Sequence, residues 1–458
     1  MITPAVSLSA SAIPKKNSST SVFKDCCDQK QALKASVHTL FCKLYKTNTP
    51  SGIMAVLSFE TLRFALCTGG VQVTFLTMFE CIIQKQDLDR ISKWQVNANT
   101  IAFDNVSDDV AAKKFHQALL KAFHSLKNKL NGKPAVYVHK NSGIPLLGNV
   151  AFGILDRGTK TIEVRPITAC NIRCVYCSVD EDKRPVDFVV EAEYLAEETK
   201  NLIETKGIDG VEILINSQGE PTLYHDMATL VRCLRAIPQV KEISLITNGT
   251  LLTHERVDAL LAAGLSRVNL SINASTQETA RKVADAGYSL KQVHELAKYL
   301  ADKVELVIAP VWVPGWNDAE MSEIVGFVKS LKNTRFSPRC CIQNFLPYKF
   351  GRNPTTQMPW EKFYEKLAEL EKKHEIKLTV DASDFPETLT KVGELPKPFK
   401  KDDIVIAEIL GPGRLEGETL AIAKNRTISL LKYTGVRKGS VKVRITHTKH
   451  NIFAGMVV

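Results

Sequence analysis

Short apolar runs alternate with helical patterns through the middle of the chain. The runs are typical of strands and lie at 161–165, 211–215, 242–246, 267–272, 304–310 and 341–345. Between them, apolar residues repeat at helical spacing, as in segments 191–206 and 290–303. Strands separated by helices of this length pair in parallel through right-handed crossovers. Six such units predict an α/β fold with an open or partial barrel, in which ligands gather at the carboxyl ends of the strands.

The C-terminal part of the chain has a different pattern. After the Pro-rich segment 394–403, short β-type runs are separated by Gly-rich turns at 411–418 and 434–440. This pattern predicts a small five-stranded β-barrel over residues 398–458. The net charge of the whole chain is +11, which suits a polyanionic partner such as a nucleic acid, although many basic soluble proteins bind none.

The N-terminal part is the least readable. Its first hundred residues are Ser/Thr-rich and then irregularly apolar, without a sustained period. A helical stripe follows over 109–130 and is expected to end at Gly132. The predicted boundaries are 1–100 for an extension of uncertain nature, 101–154 for an accessory helix and strand, 155–390 for the core domain and 398–458 for the barrel.

Cysteine usage and hydropathy indicate the setting. The chain has eleven cysteines and no clear secretory signal, which favours a reducing, cytoplasmic location where clustered cysteines bind metal or iron–sulfur. The uncharged run 64–79 is shorter than the roughly 18–20 residues that a spanning helix needs. We therefore expect no membrane span.

Three cysteines follow the first strand of the alternating region. They are Cys170, Cys174 and Cys177, within the segment TACNIRCVYC. Thiolates are the usual ligands of iron–sulfur clusters, and a cube has four irons, so three cysteines leave one iron free for another ligand. The alternatives are chance spacing or a partial zinc site, since a structural zinc site uses four ligands.

This CxxxCxxC spacing, with an aromatic residue before the last cysteine, resembles the radical S-adenosylmethionine (SAM) superfamily. The resemblance implies a partial (βα)6 radical SAM barrel holding a [4Fe-4S] cluster. It also implies that the amino and carboxyl groups of SAM chelate the open iron. An electron from the cluster would then cleave SAM to a 5′-deoxyadenosyl radical, with a reductant such as ferredoxin or flavodoxin as partner.

Residues after the later strands extend the resemblance. The segment 217–222, SQGEPT, resembles the family's GGEP segment, with Gln218 in place of the first glycine. Polar residues after the third and fourth strands stand where the family contacts SAM, and 311–313 would line the adenine. The SAM-binding residues implied by the resemblance are Tyr176, Gly219, Glu220, Pro221, Asn248, Ser271 and Asn273.

Other polar residues near the strand ends are substrate-side or cluster-side candidates. Arg165 and Arg173 flank the cysteines and either tune the cluster, bind substrate or serve as structural ion pairs. Residues at or beyond the end of the sixth strand are expected at the barrel mouth, namely Asn344, Tyr348, Lys349 and Arg352.

Residues 398–458 resemble the TRAM domain, a small RNA-binding barrel attached to some tRNA-modifying enzymes. The resemblance rests on a glycine-punctuated start at 413–418 and on the segment 438–445, KGSVKVRI. A basic surface suited to phosphates is predicted from Arg426, Lys432, Arg437, Lys438, Lys442, Arg444 and Lys449. A generic small barrel with an ordinary solvated face is the alternative. As a whole, the chain resembles an archaeal-type group of radical SAM proteins with a TRAM-like tail.

These observations predict a radical SAM enzyme that modifies tRNA or another RNA, held by the C-terminal barrel. The alternative is radical SAM chemistry on a small molecule or peptide, with the barrel only structural. An alternative of another class is an RNA-binding protein with a non-catalytic cluster. A methylthiotransferase is disfavoured because residues 1–100 contain no second suitable cysteine trio.

Overall fold

The computed structural model describes most of the chain from residue 43 onward. The described residues are 43–49, 52–331, 334–380, 384, 390–435 and 438–458. Residues 1–42 of the predicted N-terminal extension, and Arg437 of the predicted basic surface, lie outside them. Within the described part, no helix is long and apolar enough to cross a membrane.

The N-terminal region consists of two antiparallel sheets and two helices. Its elements are β1 (Lys43–Thr49), β2 (Gly52–Ser58), β3 (Leu62–Cys67), β4 (Gly70–Phe75), β5 (Phe79–Gln84), α1 (Lys85–Asp89), β6 (Trp94–Val96), β7 (Thr100–Asp104), α2 (Asp108–Phe123) and β8 (Lys127–Asn128). The sheet orders are β1-β2-β7-β6 and β3-β4-β5-β8. The uncharged run 64–79 supplies strands of the second sheet. Strands from either side of residue 100 pair with each other, since β2 pairs with β7.

Helix α2 covers these sheets and differs in length from its prediction. Its residue Phe115 packs in an aromatic cluster with Phe59, Phe64 and Phe103. The helix ends at Phe123 and does not continue to Gly132, because Lys127–Asn128 leave it to pair with β5. Local pairing with a neighbouring strand therefore overrides the apolar periodicity of the segment.

The central region is the predicted parallel α/β fold. Its elements are β9 (Ala135–Val138), β10 (Gly153–Asp156), β11 (Thr161–Arg165), β12 (Asp187–Val190), α3 (Ala192–Lys206), β13 (Val211–Ile215), α4 (Met227–Arg235), β14 (Val240–Thr247), α5 (His254–Ala263), β15 (Arg267–Leu270), α6 (Gln277–Ala284), α7 (Leu290–Lys303), β16 (Glu305–Ile308), β17 (Val311–Trp312), α8 (Met321–Ser330), β18 (Arg339–Cys340), β19 (Gln343–Asn344) and α9 (Trp360–His374). The main sheet has the order β10-β11-β13-β14-β15-β16-β18. Its strands from β11 to β18 are parallel, so their carboxyl ends share one edge.

The sheet departs from its prediction at two places. An additional strand, β10, pairs antiparallel with β11 at the edge. The sixth parallel strand is Arg339–Cys340 and not 341–345, because the chain leaves the sheet after Cys340. Residues Gln343–Asn344 then pair with β17 in a separate two-stranded sheet above the strand ends. This second pairing brings the end of the sixth unit over the carboxyl edge of the main sheet.

The C-terminal region forms the predicted five-stranded closed barrel. Its strands are β20 (Ile404–Pro412), β21 (Thr419–Ala423), β22 (Arg426–Leu430), β23 (Ser440–His447) and β24 (Phe453–Val457), in the order β20-β21-β22-β24-β23. Its separate core includes Phe399, Ile428 and Phe453. The barrel packs directly on the central region, since the Thr427 backbone N–H donates to the Leu147 carbonyl at 2.9 Å.

Candidate active site

A cavity of about 350 Å³ lies at the carboxyl ends of the parallel strands. Its walls come from the loops that follow β11, β13, β14, β15 and β16. All ten residues proposed from the sequence for the cluster and SAM line this cavity, namely Cys170, Cys174, Tyr176, Cys177, Gly219, Glu220, Pro221, Asn248, Ser271 and Asn273. The structure therefore brings together residues that are far apart in the chain.

The cysteine loop is held by its backbone. The N–H groups of Arg173 and Val175 donate to the last turn of α6, and the Arg352 N–H donates to the Cys177 carbonyl at 2.8 Å. Burial raises the pKa of all three cysteine thiols, that of Cys174 to about 12. A bound cation would offset this burial, because metal coordination favours the thiolate.

The donor set fits a multi-iron cluster better than a single metal ion. Three soft thiol groups line one cavity, which is the ligand chemistry of iron–sulfur clusters. Within the part of the chain that the structure describes, no group of three His, Cys, Asp or Glu side chains is arranged to hold one metal ion.

Gly219 lies against the two residues that directly precede Cys170. A Cβ atom at this position would lie 2.1 Å from the Ala169 carbonyl oxygen and 2.4 Å from that of Thr168. The neighbouring Glu220 N–H donates to the Ala169 carbonyl at 2.8 Å. This close backbone approach explains why glycine is needed here, whereas Gln218, which replaces the family's other glycine, lines the cavity.

The Glu220 carboxylate connects two strand ends. One oxygen accepts from the Thr222 N–H and from the hydroxyls of Thr222 and Thr247, and the other accepts from the Asn248 N–H at 2.8 Å. The side chain is 2% exposed, and burial raises its pKa. Four hydrogen bonds within the protein fix this carboxylate, so it orders the loops after β13 and β14 as well as lining the cavity.

Asn248 connects the end of β14 to the cysteine loop. Its side-chain amide donates to Asn171 Oδ1 at 3.0 Å, and its own Oδ1 accepts from the Thr250 hydroxyl at 2.6 Å. Asn171 in turn donates to the Thr250 hydroxyl at 2.8 Å. This closed ring of hydrogen bonds holds Asn171, the residue next to Cys170, against the loop that follows β14.

A second chain of hydrogen bonds crosses the cavity wall. Asn273 donates to the Tyr176 hydroxyl at 2.7 Å and accepts from the Val311 N–H at 2.8 Å. Asn317 donates to the carbonyls of both Asn273 and Val311. The aromatic residue of the cysteine motif is therefore tied to the loops after β15 and β16.

The sequence interpretation missed Asn317 and also Glu320. The Glu320 carboxylate accepts from the backbone and side-chain groups of Ser275 and Thr276. These hydrogen bonds lower the pKa of Glu320 to about 2 although burial opposes the shift. In the sequence, only their closeness to 311–313, the segment expected to line the adenine, pointed to these two residues.

Of the two flanking arginines, only Arg173 lines the cavity. Its guanidinium lies 3.3 Å from Asp182 and 3.7 Å from Asp285. Arg165 is buried and pairs with Glu163 at 2.7 Å, so the structural ion-pair interpretation holds for it.

The candidates beyond the sixth strand have different environments. Tyr348 lines the cavity and is 47% exposed, whereas Asn344 is buried and donates to the Met358 carbonyl at 2.7 Å. Arg352 donates to Asp285 at 2.8 Å and also to the Arg173 carbonyl. Lys349 lies over the Phe350 ring. Asn344, Tyr348 and Arg352 all line the cavity, and of these three only Tyr348 is exposed.

Comparison with known proteins identifies the family. The chain matches the radical SAM superfamily over residues 164–328. It is 33% identical over 364 residues to an uncharacterized protein of Methanocaldococcus jannaschii, covering 73% of this chain and 83% of that protein. The chain belongs to the radical SAM superfamily. Like other radical SAM enzymes, it uses a [4Fe-4S] cluster and SAM and needs a reductant.

Other similarities are partial. The chain is 30% identical over 181 residues to GTP 3′,8-cyclase of Aquifex aeolicus, covering 39% of this chain and 55% of that enzyme. The chain therefore spans about half of that relative's length. Among solved structures, the chain is similar to Streptococcus suis SuiB bound to S-adenosylmethionine. The alignment covers 72% of this chain and 75% of the SuiB chain, with 14% sequence identity and a TM-score of 0.38. A TM-score this low describes a distant likeness, and no residue of this chain is assigned a role from it.

Proposed function

We propose that this radical SAM enzyme holds its cluster through Cys170, Cys174 and Cys177 and modifies tRNA or another RNA. The observation that carries the cluster assignment is the shared cavity, in which three thiols meet the ends of four neighbouring parallel strands. When bound, the cluster and SAM supply a 5′-deoxyadenosyl radical that abstracts hydrogen from a substrate carbon.

The SAM-side residues divide into two groups. Gly219 lets the loop after β13 lie against the cysteine loop, while Glu220 and Asn248 fix that arrangement. Ser271, Asn273 and Tyr176 also line the cavity. With SAM bound, Ser271 and Asn273 would contact its ribose and carboxylate, and Tyr176 would lie against its adenine. Polar groups that are already fixed by their neighbours orient a ligand at low entropic cost.

The mouth of the cavity is proposed as the substrate side. The segment after β19 crosses the cysteine loop, where the Phe350 carbonyl accepts from the Asp180 N–H and from Arg184. Gly351 permits this crossing, since a Cβ atom there would lie 2.7 Å from the Cys177 carbonyl oxygen. The segment shields one side of the loop from water and leaves Tyr348 at the opening, and exclusion of water protects a reactive radical.

The RNA assignment rests on the barrel. Five of the seven predicted cations are exposed on it, namely Lys432, Lys438, Lys442, Arg444 and Lys449. Arg426 is half-buried, so less of its guanidinium is open to a phosphate. A TRAM-like barrel that presents cations to solvent would bind the phosphate backbone with little dependence on sequence.

The first experiment is SAM cleavage. The protein is reconstituted anaerobically with iron and sulfide, reduced with dithionite and incubated with SAM, and 5′-deoxyadenosine is measured, with Cys174→Ala as the control. We expect the parent protein to form 5′-deoxyadenosine and Cys174→Ala to form none. Bulk tRNA should raise the rate of the parent protein. A loaded cluster that forms no deoxyadenosine, with or without RNA, would instead support an RNA-binding protein with a non-catalytic cluster.

A small-molecule substrate is the second candidate. It is favoured by the similarity to GTP 3′,8-cyclases over 181 and 180 residues of this chain. Nucleoside triphosphates can replace tRNA in the same assay, one at a time. If GTP raises deoxyadenosine formation and tRNA does not, then the RNA assignment is wrong and the barrel has a structural role.

A further inference from the structure

One arginine of the C-terminal barrel reaches the cysteine loop. Arg414 lies in the turn between β20 and β21 and is only 2% exposed, which makes it one of the largest fully buried side chains in the described residues. Its guanidinium donates to the Thr168 carbonyl at 2.7 Å and to the Val186 carbonyl at 3.0 Å. It also donates to the carboxylates of Asp187 at 2.6 Å and Glu181 at 2.8 Å.

These partners belong to the walls of the cavity or support them. Thr168 is two residues before Cys170, and its carbonyl also lies directly against Gly219. Glu181 lines the cavity, four residues after Cys177. The guanidinium thus joins the two ends of the cysteine loop to each other.

Asp187 adds the N-terminal region to the same network. Its carboxylate accepts from the Asn128 side chain at 2.7 Å and from the Thr168 hydroxyl at 3.2 Å, besides Arg414. All three regions of the described chain therefore meet at one fully buried carboxylate. Arg414 pairs with the fully buried Asp187 and with the partly buried Glu181, and removal of the guanidinium would leave the Asp187 carboxylate buried without its cation.

We propose that Arg414 is a positioning residue for the cluster and SAM site, through which the barrel sets the conformation of the cysteine loop. The inference rests on the proposed role of the three cysteines. It assigns the barrel a part in the radical chemistry itself, independent of any RNA that the barrel holds.

Other contacts fix the barrel to the central region without touching the cysteine loop. Ser429 accepts from the Asn149 side chain at 3.2 Å, and Asn451 donates to the Leu395 carbonyl at 3.0 Å. The Thr427 hydroxyl donates to the Pro145 carbonyl. Barrel docking therefore has its own hydrogen bonds, and a buried guanidinium aimed at Thr168 and Glu181 serves the loop in addition.

The test compares Arg414→Lys and Arg414→Met with Ser429→Ala in the full-length protein. Arg414→Lys keeps the charge but loses the planar fork that reaches Thr168, Asp187 and Glu181 together. Ser429→Ala removes a barrel contact remote from the cysteine loop. The measurements are hydrogen exchange over 166–184 without the cluster, the electron paramagnetic resonance spectrum of the reduced cluster with and without SAM, urea unfolding, and deoxyadenosine formation per cluster.

We expect Arg414→Lys to be less stable to urea than Ser429→Ala, because buried acceptors around Arg414 lose their donor, and to exchange faster than Ser429→Ala specifically over 166–184. Its deoxyadenosine formation should fall about tenfold, as is typical when a group that orients metal ligands is replaced, and Arg414→Met should fall further. The change that SAM causes in the cluster spectrum should be altered in both arginine variants and unchanged in Ser429→Ala.

The two levels of the proposal fail separately. The positioning role is overturned if the wild-type protein cleaves SAM and Arg414→Lys matches Ser429→Ala in hydrogen exchange over 166–184, in the cluster spectrum and in the rate of deoxyadenosine formation. A wild-type protein that carries a full cluster but never cleaves SAM overturns the proposed function. If Arg414→Met does not fold, then Arg414→Lys alone decides between these outcomes.

Discussion

The cavity at the strand ends and the outer face of the C-terminal barrel hold their polar side chains in opposite ways. In the cavity, Glu220 accepts four hydrogen bonds, and Asn248 and Asn273 each bond to two or more neighbours. On the barrel, Lys442 and Arg444 of β23 are exposed, and their cross-strand neighbours Ile406 and Ile404 are exposed as well.

This difference determines how substitutions will act. In the cavity, each side chain orients others, so one replacement disturbs several groups and the effects of two replacements will not add. On the barrel face, each cation is solvated and screened by salt, so its contribution will be small, additive and salt-dependent. We therefore expect substitutions to have the largest effects where a residue contacts several others in the cavity, and the smallest where a side chain is exposed on the barrel.

Gly219→Ala should have the largest effect. The added methyl would overlap the backbone carbonyls of Thr168 and Ala169, which directly precede Cys170 and cannot move without moving the cysteine loop. We expect a loss of stability of about 1–3 kcal/mol, as for other overpacked sites. SAM cleavage should fall about 100-fold, because small displacements of reacting groups are costly.

The matched control for this substitution is Gly287→Ala. A Cβ atom added at Gly287 would meet no other atom within 4 Å, and the backbone there is not left-handed, so the change should leave both stability and SAM cleavage unaltered. Equal behaviour of the two alanine variants in urea unfolding and deoxyadenosine formation would show that the close approach at Gly219 is not needed.

Glu220→Gln should have the next largest effect. The new amide group must face a donor where the carboxylate accepted, so at least one of the Thr222, Thr247 or Asn248 donors loses its partner. We expect a loss of about 1–3 kcal/mol in the free energy of unfolding and weaker SAM binding. Glu255→Gln, on the exposed surface of α5, should change neither. Tight SAM binding by Glu220→Gln would refute the interdependence of the cavity.

The sequence predicted the residues that line the cavity better than the residues that hold its loops in place. The family resemblance pointed to the cysteine trio and to the residues after β13, β14 and β15, and the readable apolar runs predicted that these positions share one edge of the sheet, because parallel strands bring their ends together. Arg414 could not be found in this way. Its partner Thr168 is 246 residues away, and only the docking of the barrel brings the two together.

The strands missed by the sequence interpretation share a cause. In the N-terminal region, β3, β4 and β5 are six residues long and joined by tight turns, so each offers about three buried positions, too few to define a period. The sixth parallel strand was placed at 341–345 because Ile342 and Phe345 are apolar. Both are indeed buried, but beyond the sheet and beside the cavity mouth.

Glu320→Gln tests the outer layer of the cavity, where the effect should be smaller and dependent on pH. Hydrogen bonds from Ser275 and Thr276 lower the folded-state pKa to about 2, so the charged carboxylate stabilises the fold above its ordinary pKa, and this stabilisation is lost as pH falls toward 2. We expect the variant to be less stable than the parent by about 1–2 kcal/mol at pH 7, with a smaller difference at pH 4. Urea unfolding at both pH values measures this, and a difference that grows on acidification would contradict the assignment.

Lys442→Ala and Arg444→Ala on the barrel face should have the smallest effects. If both cations bind RNA phosphates, each substitution should weaken tRNA binding by about 2–5-fold at low salt, and the salt slope of the binding constant should fall by about 1 for each phosphate that is no longer neutralised. The double variant should show the product of the two single effects, because exposed charges act independently. Lys114→Ala, on the exposed surface of α2, is the control and should bind as the parent does. If the double variant binds tRNA far more weakly than that product, then the cations of the barrel face depend on one another as the cavity residues do. If tRNA binding is unchanged, then these two cations have no part in the proposed function.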